Sequence, residues 1–226
     1  MILSVAGGKG GVGKSTVALN LGAHLDAVVV DADLSMADLA ASPGPDLHDV
    51  LAGRAEPLEA VRDDAPVTLL PCGRTLAGAR AGDVTELVEA VRTVADARGT
   101  VVIDCPAGMA ADAGMPLLAA DAAVLVAEPR EFALADAIRT RELARELDAG
   151  LAAIALNRVG DRPPTEAVRR ALGAPVVAIP GDERVRRAQR RGVAVERIAP
   201  DSEPARRFET LAETVSRAVP DTSRGA

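Results

Sequence analysis

Short, almost uninterrupted apolar runs recur along the chain at 2–5, 27–30, 67–70, 100–103, 122–126, 151–156 and 176–179, rich in Val, Ile, Leu and Ala. Runs of this length without polar alternation predict strands buried on both faces. Between them the pattern changes to a helical period. Segment 15–25 spaces Val17, Leu21 and Leu25 four apart, and 83–97 places Val84, Leu87, Val88, Val91 and Val94 on one side, with Asp83 as its cap. Further helices are predicted at 134–147 and 184–191. Turn residues at 42–45 (Ser-Pro-Gly-Pro) predict a loop, after which Asp46 opens a short helix over 47–51. The last helix, 204–219, aligns Phe208, Leu211, Ala212, Val215 and Val219 in one stripe, and 220–226 reads as a flexible C-terminal tail. Buried strands joined by helices imply right-handed crossovers. The expected fold is therefore an α/β three-layer sandwich, a mostly parallel sheet of about seven or eight strands with helices on both faces, forming one domain over 1–219.

Composition narrows the function classes. A 226-residue chain with 48% hydrophobic residues can bury a sizeable core. Its net charge of −7 argues against a protein wrapped in nucleic acid or laid on an anionic membrane, although a local basic patch remains compatible. Cys72 and Cys105 form no C-x-x-C pair, so neither a metal cluster nor a disulfide framework is indicated and a reducing, cytoplasmic setting is expected. No apolar run approaches membrane-span length, and the first one leads straight into a glycine-rich loop, leaving no room for a signal peptide.

That loop carries the chemistry. Lys9 and Lys14 are the only lysines among 26 basic residues, and both lie in Gly7-Gly8-Lys9-Gly10-Gly11-Val12-Gly13-Lys14-Ser15-Thr16. Gly8-x-x-x-x-Gly13-Lys14-Ser15 between a strand and a helix is a P-loop. Its glycines let successive backbone N–H groups approach phosphate oxygens at a helix N-terminus, where the dipole favours anions. Gly8, Gly10, Gly11, Val12, Gly13, Lys14, Ser15 and Thr16 are thus candidate nucleotide contacts: Lys14 for the β- and γ-phosphates, Ser15 for Mg²⁺, Thr16 for the α-phosphate. A run of four residues, Thr100 to Ile103, ending in Asp104 is the Walker B pattern, which sets a carboxylate beside Mg²⁺. Val28-Val29-Val30-Asp31-Ala32-Asp33 brings two more carboxylates to a strand end, the rim where open α/β sheets bind ligands. Cys105 reads as buried filler, and His24 and His48 fall on predicted helices.

Lys9 is not required by the ordinary P-loop. With it, Gly-Lys-Gly-Gly-Val-Gly-Lys-Ser resembles the deviant Walker A motif of the MinD/ParA family, and the resemblance extends in order through the other motifs over nearly the whole chain. It implies a P-loop ATPase using ATP and Mg²⁺, active as an ATP-dependent homodimer in which Lys9 reaches the partner's nucleotide. By the same resemblance Asp33 orients or activates the attacking water, Asp31 lies near the metal, and Cys105-Pro106-Ala107-Gly108 is the second switch. Leu156-Asn157-Arg158 and the segment at Pro180 resemble the adenine-recognition segments, making Asn157, Arg158 and Pro180 candidate base contacts. A proline usual in the family after the following helix is Ala194 here.

The implied activity is hydrolysis of ATP to ADP and phosphate, used as a dimerisation switch in spatial organisation and stimulated by a protein partner. The MinD-like reading stands against a ParA-like one, in which Arg184, Arg186, Arg187, Arg190 and Arg191 bind DNA phosphates across a dimer. The last helix mixes Arg206, Arg207 and Arg217 with Glu209 and Glu213, which argues against direct membrane binding and for packing on its own domain. Cluster-carrying relatives need cysteine pairs that this chain lacks, and related tyrosine kinases need a tyrosine-rich tail in a chain that has no tyrosine.

Overall fold

A computed structural model of the chain describes residues 1–34, 39, 43–73, 82–108, 111–129 and 131–219. Seven strands, β1 (Ile2–Ala6), β2 (Val28–Asp31), β3 (Leu69–Leu70), β4 (Val101–Asp104), β5 (Ala122–Ala127), β6 (Gly150–Val159) and β7 (Val176–Pro180), form one sheet in the order β3-β2-β4-β1-β5-β6-β7. Every strand pairing is parallel, and one isolated antiparallel bridge joins Arg62 to Leu69. All seven predicted strands are present, their ends shifted by up to three residues.

The helices are α1 (Lys14–Leu25), α2 (Leu47–Leu51), α3 (Leu87–Arg98), α4 (Ala111–Ala119), α5 (Glu131–Glu146), α6 (Thr165–Leu172), α7 (Glu183–Arg190) and α8 (Glu203–Ala218). Alternate side chains of each strand serve opposite layers. Leu3, Val5, Val29 and Val102 join Val17, Leu21, Phe208, Leu211 and Val215 under α1 and α8. Ile2, Val28, Val30, Val101 and Ile103 join Leu87, Val91 and Val94 of α3 on the other face. The expected three layers are thus in place.

Helix α8 packs as its stripe predicts: Phe208, Leu211 and Val215 are fully buried, each such side chain worth about 1.5–3 kcal/mol relative to exposure. Its arginines pair locally, Arg206 and Arg207 with Glu203 and Arg217 with Glu213. Two helices were not predicted. Helix α4 contains Gly114 and Pro116, both breaker signals, and α6 commits only Val168 and Leu172 to the interior. Asp83 does cap, but its carboxylate accepts from Thr85 N in a 3₁₀ turn, Val84–Glu86, that precedes α3. Asp46 caps α2 as expected, whereas Ser42 and the 220–226 tail lie outside the described residues. Among the described residues no helix is long and apolar enough to cross a membrane.

Candidate functional site

The glycine-rich loop links β1 to α1 at the carboxyl edge of the sheet. Gly13 stands at the N-cap of α1 with φ 102°, a left-handed conformation that only glycine adopts readily, and no side chain caps the helix. The first-turn N–H groups of α1 therefore face outward, the geometry that attracts an anion. No acidic residue occupies that turn. Lys14, Ser15 and Thr16 are buried, held between the sheet and the flanking helices. Gly8 permits contact with α5, because a Cβ there would run into Asp136. Lys9 is exposed on the loop's outer side, its Nζ 3.2 Å from Asp136 Oδ2, and Arg139 approaches the same carboxylate at 3.3 Å.

Register places the buried carboxylates together. Asp31 and Asp104 are paired neighbours on β2 and β4, both buried at the strand ends beside the loop. Asp31 also organises the chain beyond it, its Oδ1 accepting from Asp33 N and its Oδ2 from Leu39 N, each at 3.3 Å. Asp33 stands two residues further out and is half-buried. The Cys105 thiol is buried behind Asp104; burial, reinforced by that carboxylate, pushes its pKa up and keeps it a thiol. Gly108 has φ 98°, and a Cβ there would meet nothing within 4 Å.

The other flank of the loop is fastened by β6. Asn157 Nδ2 donates to Val12 O at 2.8 Å, while its Oδ1 accepts from Arg158 N at 3.0 Å. Arg158, itself at φ 56°, sends Nη1 to Gly11 O at 2.6 Å and to Glu128 Oε1 at 2.5 Å. Asn157, Arg158 and Pro180 line one small cleft of about 30 Å³ together with Thr16, Asp182 and Gln189. Within it Thr16 Oγ1 is 2.5 Å from Gln189 Oε1. A roomier cleft of about 450 Å³ lies at the far end of α1, around Asp26, Pro66, Glu196 and Pro200, without a phosphate-binding turn.

The loop residues, Asp31, Asp33, Asp104, Asn157, Arg158 and Pro180 thus lie along the carboxyl edge of the sheet. Sequence reasoning did not single out Glu128, Asp136 or Gln189. No motif marks them, because each is recruited by packing across the sheet edge rather than by position in a pattern. The donor set is oxygen-only, a hydroxyl and carboxylates, which suits a hard cation such as Mg²⁺.

A parallel sheet with an uncapped glycine turn, a buried lysine and two buried carboxylates at one edge defines a P-loop nucleotide-binding protein of α/β class. The description "CobQ/CobB/MinD/ParA nucleotide binding domain" matches residues 3–195, and the chain belongs to that family, as a MinD-like member. It is 32% identical to an uncharacterised ATP-binding protein of Methanocaldococcus jannaschii over 96% of this chain and 88% of that protein. The crystal structure of the Pyrococcus furiosus cell division ATPase MinD superposes with a TM-score of 0.90 at 32% identity, covering 96% of this chain and 99% of that one. The septum site-determining protein MinD of Pyrococcus horikoshii, complexed with Mg-ADP, gives 0.89 at 30% identity over 99% and 97%.

Proposed function

We propose that this chain is a Mg²⁺-dependent ATPase that closes into a homodimer on ATP and opens after hydrolysis, a MinD-like switch in the spatial organisation of the cell, such as cell division. The observation that carries the reading is the division of labour between the two lysines. Lys14 is buried under the first turn of α1, and Lys9 projects from the outer face of the same loop. A second ammonium, exposed on the loop and held 3.2 Å from Asp136 Oδ2, is one that another copy's nucleotide could draw across a subunit boundary.

In this reading the N–H groups of residues 10–16 and the Lys14 ammonium bind the phosphates, and Thr16 reaches the α-phosphate. Ser15 and Asp104 would hold Mg²⁺, with Asp31 beside it, and the ion would supply charge neutralisation for the β- and γ-phosphates. Asp33 aligns a water with the γ-phosphorus, so that a new P–O bond forms while the bond to the bridging oxygen breaks and ADP leaves. Asn157, Arg158 and Pro180 border the base. Dimer closure biased by the γ-phosphate would present a surface to a protein partner.

A protein partner is favoured over DNA by the state of α7. Arg184 pairs with Asp182, and Arg186 and Arg190 pair with Glu183, so much of its positive charge is met within the helix. Size measurement with ATP tests the switch. Asp33→Ala is expected to accumulate as dimer and Lys9→Ala to remain monomer; equal behaviour of the two overturns the reading.

A further inference from the structure

The backbone that carries Asp33 is gripped from behind by two buried side chains from other parts of the chain. Cys72, just past β3, directs its thiol to Asp33 O at 3.3 Å. His48 of α2 places Nε2 3.2 Å from Leu34 O and 3.5 Å from the Cys72 sulfur. A carbonyl only accepts, so the imidazole proton is on Nε2 and both carbonyls receive a donor. On the opposite side Asp31 accepts the Asp33 N–H, so this residue is held at both its amide and its carbonyl.

The surrounding structure is shaped for this arrangement. Asp46 and Asp49 form a reciprocal capping box that fixes α2, and Leu47 N donates to Pro71 O at 2.9 Å, tying α2 to the strand exit that supplies Cys72. Gly73 leaves space for the ring: a Cβ there would collide with His48 Nδ1 and stand 2.9 Å from Asp46 Oδ1. Burial, reinforced by Asp31, Asp46 and Asp33, pushes the Cys72 pKa up, so it stays a neutral donor.

We propose that His48 and Cys72 are positioning residues for hydrolysis, holding the peptide of Asp33 and Leu34 so that the Asp33 carboxylate is aimed at the attacking water. The proposal rests on the reading of Asp33 given above. Their role is geometric. Neither side chain belongs to the glycine-rich loop, and both act through the backbone of their target. A displacement of a catalytic group by about 1 Å is enough to lower turnover by roughly a hundredfold, so two weak hydrogen bonds can matter to rate while mattering little to nucleotide affinity.

The experiment compares ATP turnover with affinity for a fluorescent ATP analogue in the full chain carrying His48→Leu, His48→Gln, Cys72→Ala, Cys72→Ser or Asp33→Ala. Glutamine restores a donor near the Nε2 position, and serine restores one near the sulfur. The expected result is a fall in kcat of about tenfold for His48→Leu and less for Cys72→Ala, with analogue affinity within about twofold and turnover recovered in the glutamine and serine variants. Loss of analogue binding together with kcat, or no recovery with either donor replaced, overturns the proposal. Wild-type turnover in His48→Leu and Cys72→Ala beside an inactive Asp33→Ala overturns the proposal alone; wild-type turnover in Asp33→Ala overturns the reading of Asp33 and the proposal with it.

Discussion

The two flanks of the glycine-rich loop are held in opposite ways. On the β6 side the loop's own carbonyls are the target: Asn157 grips Val12 and Arg158 grips Gly11 with contacts of 2.6–2.8 Å, backed by Glu128. On the β2 side it is the neighbouring carboxylate segment that is braced, through longer contacts of 3.2–3.3 Å from Asp31, Cys72 and His48. On the proposed roles, the first arrangement sets where a phosphate sits. The second then sets where Asp33 points, through longer bonds. Binding and turnover should therefore separate by flank.

The largest departure is expected from Lys14→Ala, which removes the buried ammonium beneath the first turn of α1; calorimetric titration should find ATP affinity reduced by more than about a hundredfold, since charge-assisted contacts are the strong ones. Next comes Gly13→Ala, where a Cβ would both require φ 102° and strike the Asn157 amide. It should lower folding stability by about 1–3 kcal/mol and weaken nucleotide binding, measured by denaturant melts with and without ATP. Asn157→Ala leaves the buried Val12 carbonyl without its donor and should cost about 1–3 kcal/mol in the same melts, raising KM more than it lowers kcat. An equal loss of kcat would erase the distinction between the flanks.

The smallest effect is at the helix bordering the cleft. Asp182 accepts from Arg184 N at 2.7 Å as the cap of α7, and the Arg184 guanidinium holds its carboxyl below the ordinary carboxylate range. A carboxylate with a depressed folded-state pKa stabilises fully above its unfolded value and loses that contribution as pH falls through the depressed one. Asp182→Asn, which keeps a capping side chain, should lower neutral-pH stability by the small amount the charge contributes and flatten the acid side of the pH–stability curve, read by urea melts.

Much of the site was legible because its chemistry is local. The Gly8 to Thr16 turn, the Asp31 and Asp33 pair and Asp104 each sit at the end of an apolar run, so strand periodicity alone delivers them to one rim. Strands were legible for the same reason. Helices α4 and α6 were not: one carries Gly114 and Pro116, and the other commits only two residues to the core. Long-range pairings were equally silent. His48 reads from sequence as a helical residue of no special meaning, and only folding sets it against Leu34 and Cys72. Likewise Arg158 looks like a base-side residue, and its partners Gly11 and Glu128 are 147 and 30 positions away.

Thr16 has one hydroxyl proton, and here it is spent on Gln189, a side chain of the arginine-bearing helix 173 positions downstream. A single proton cannot serve two acceptors at full strength. A phosphate oxygen that drew that proton to itself would leave the Thr16 oxygen to accept from the Gln189 amide instead, so the link between the cradle and α7 would reverse its direction rather than open.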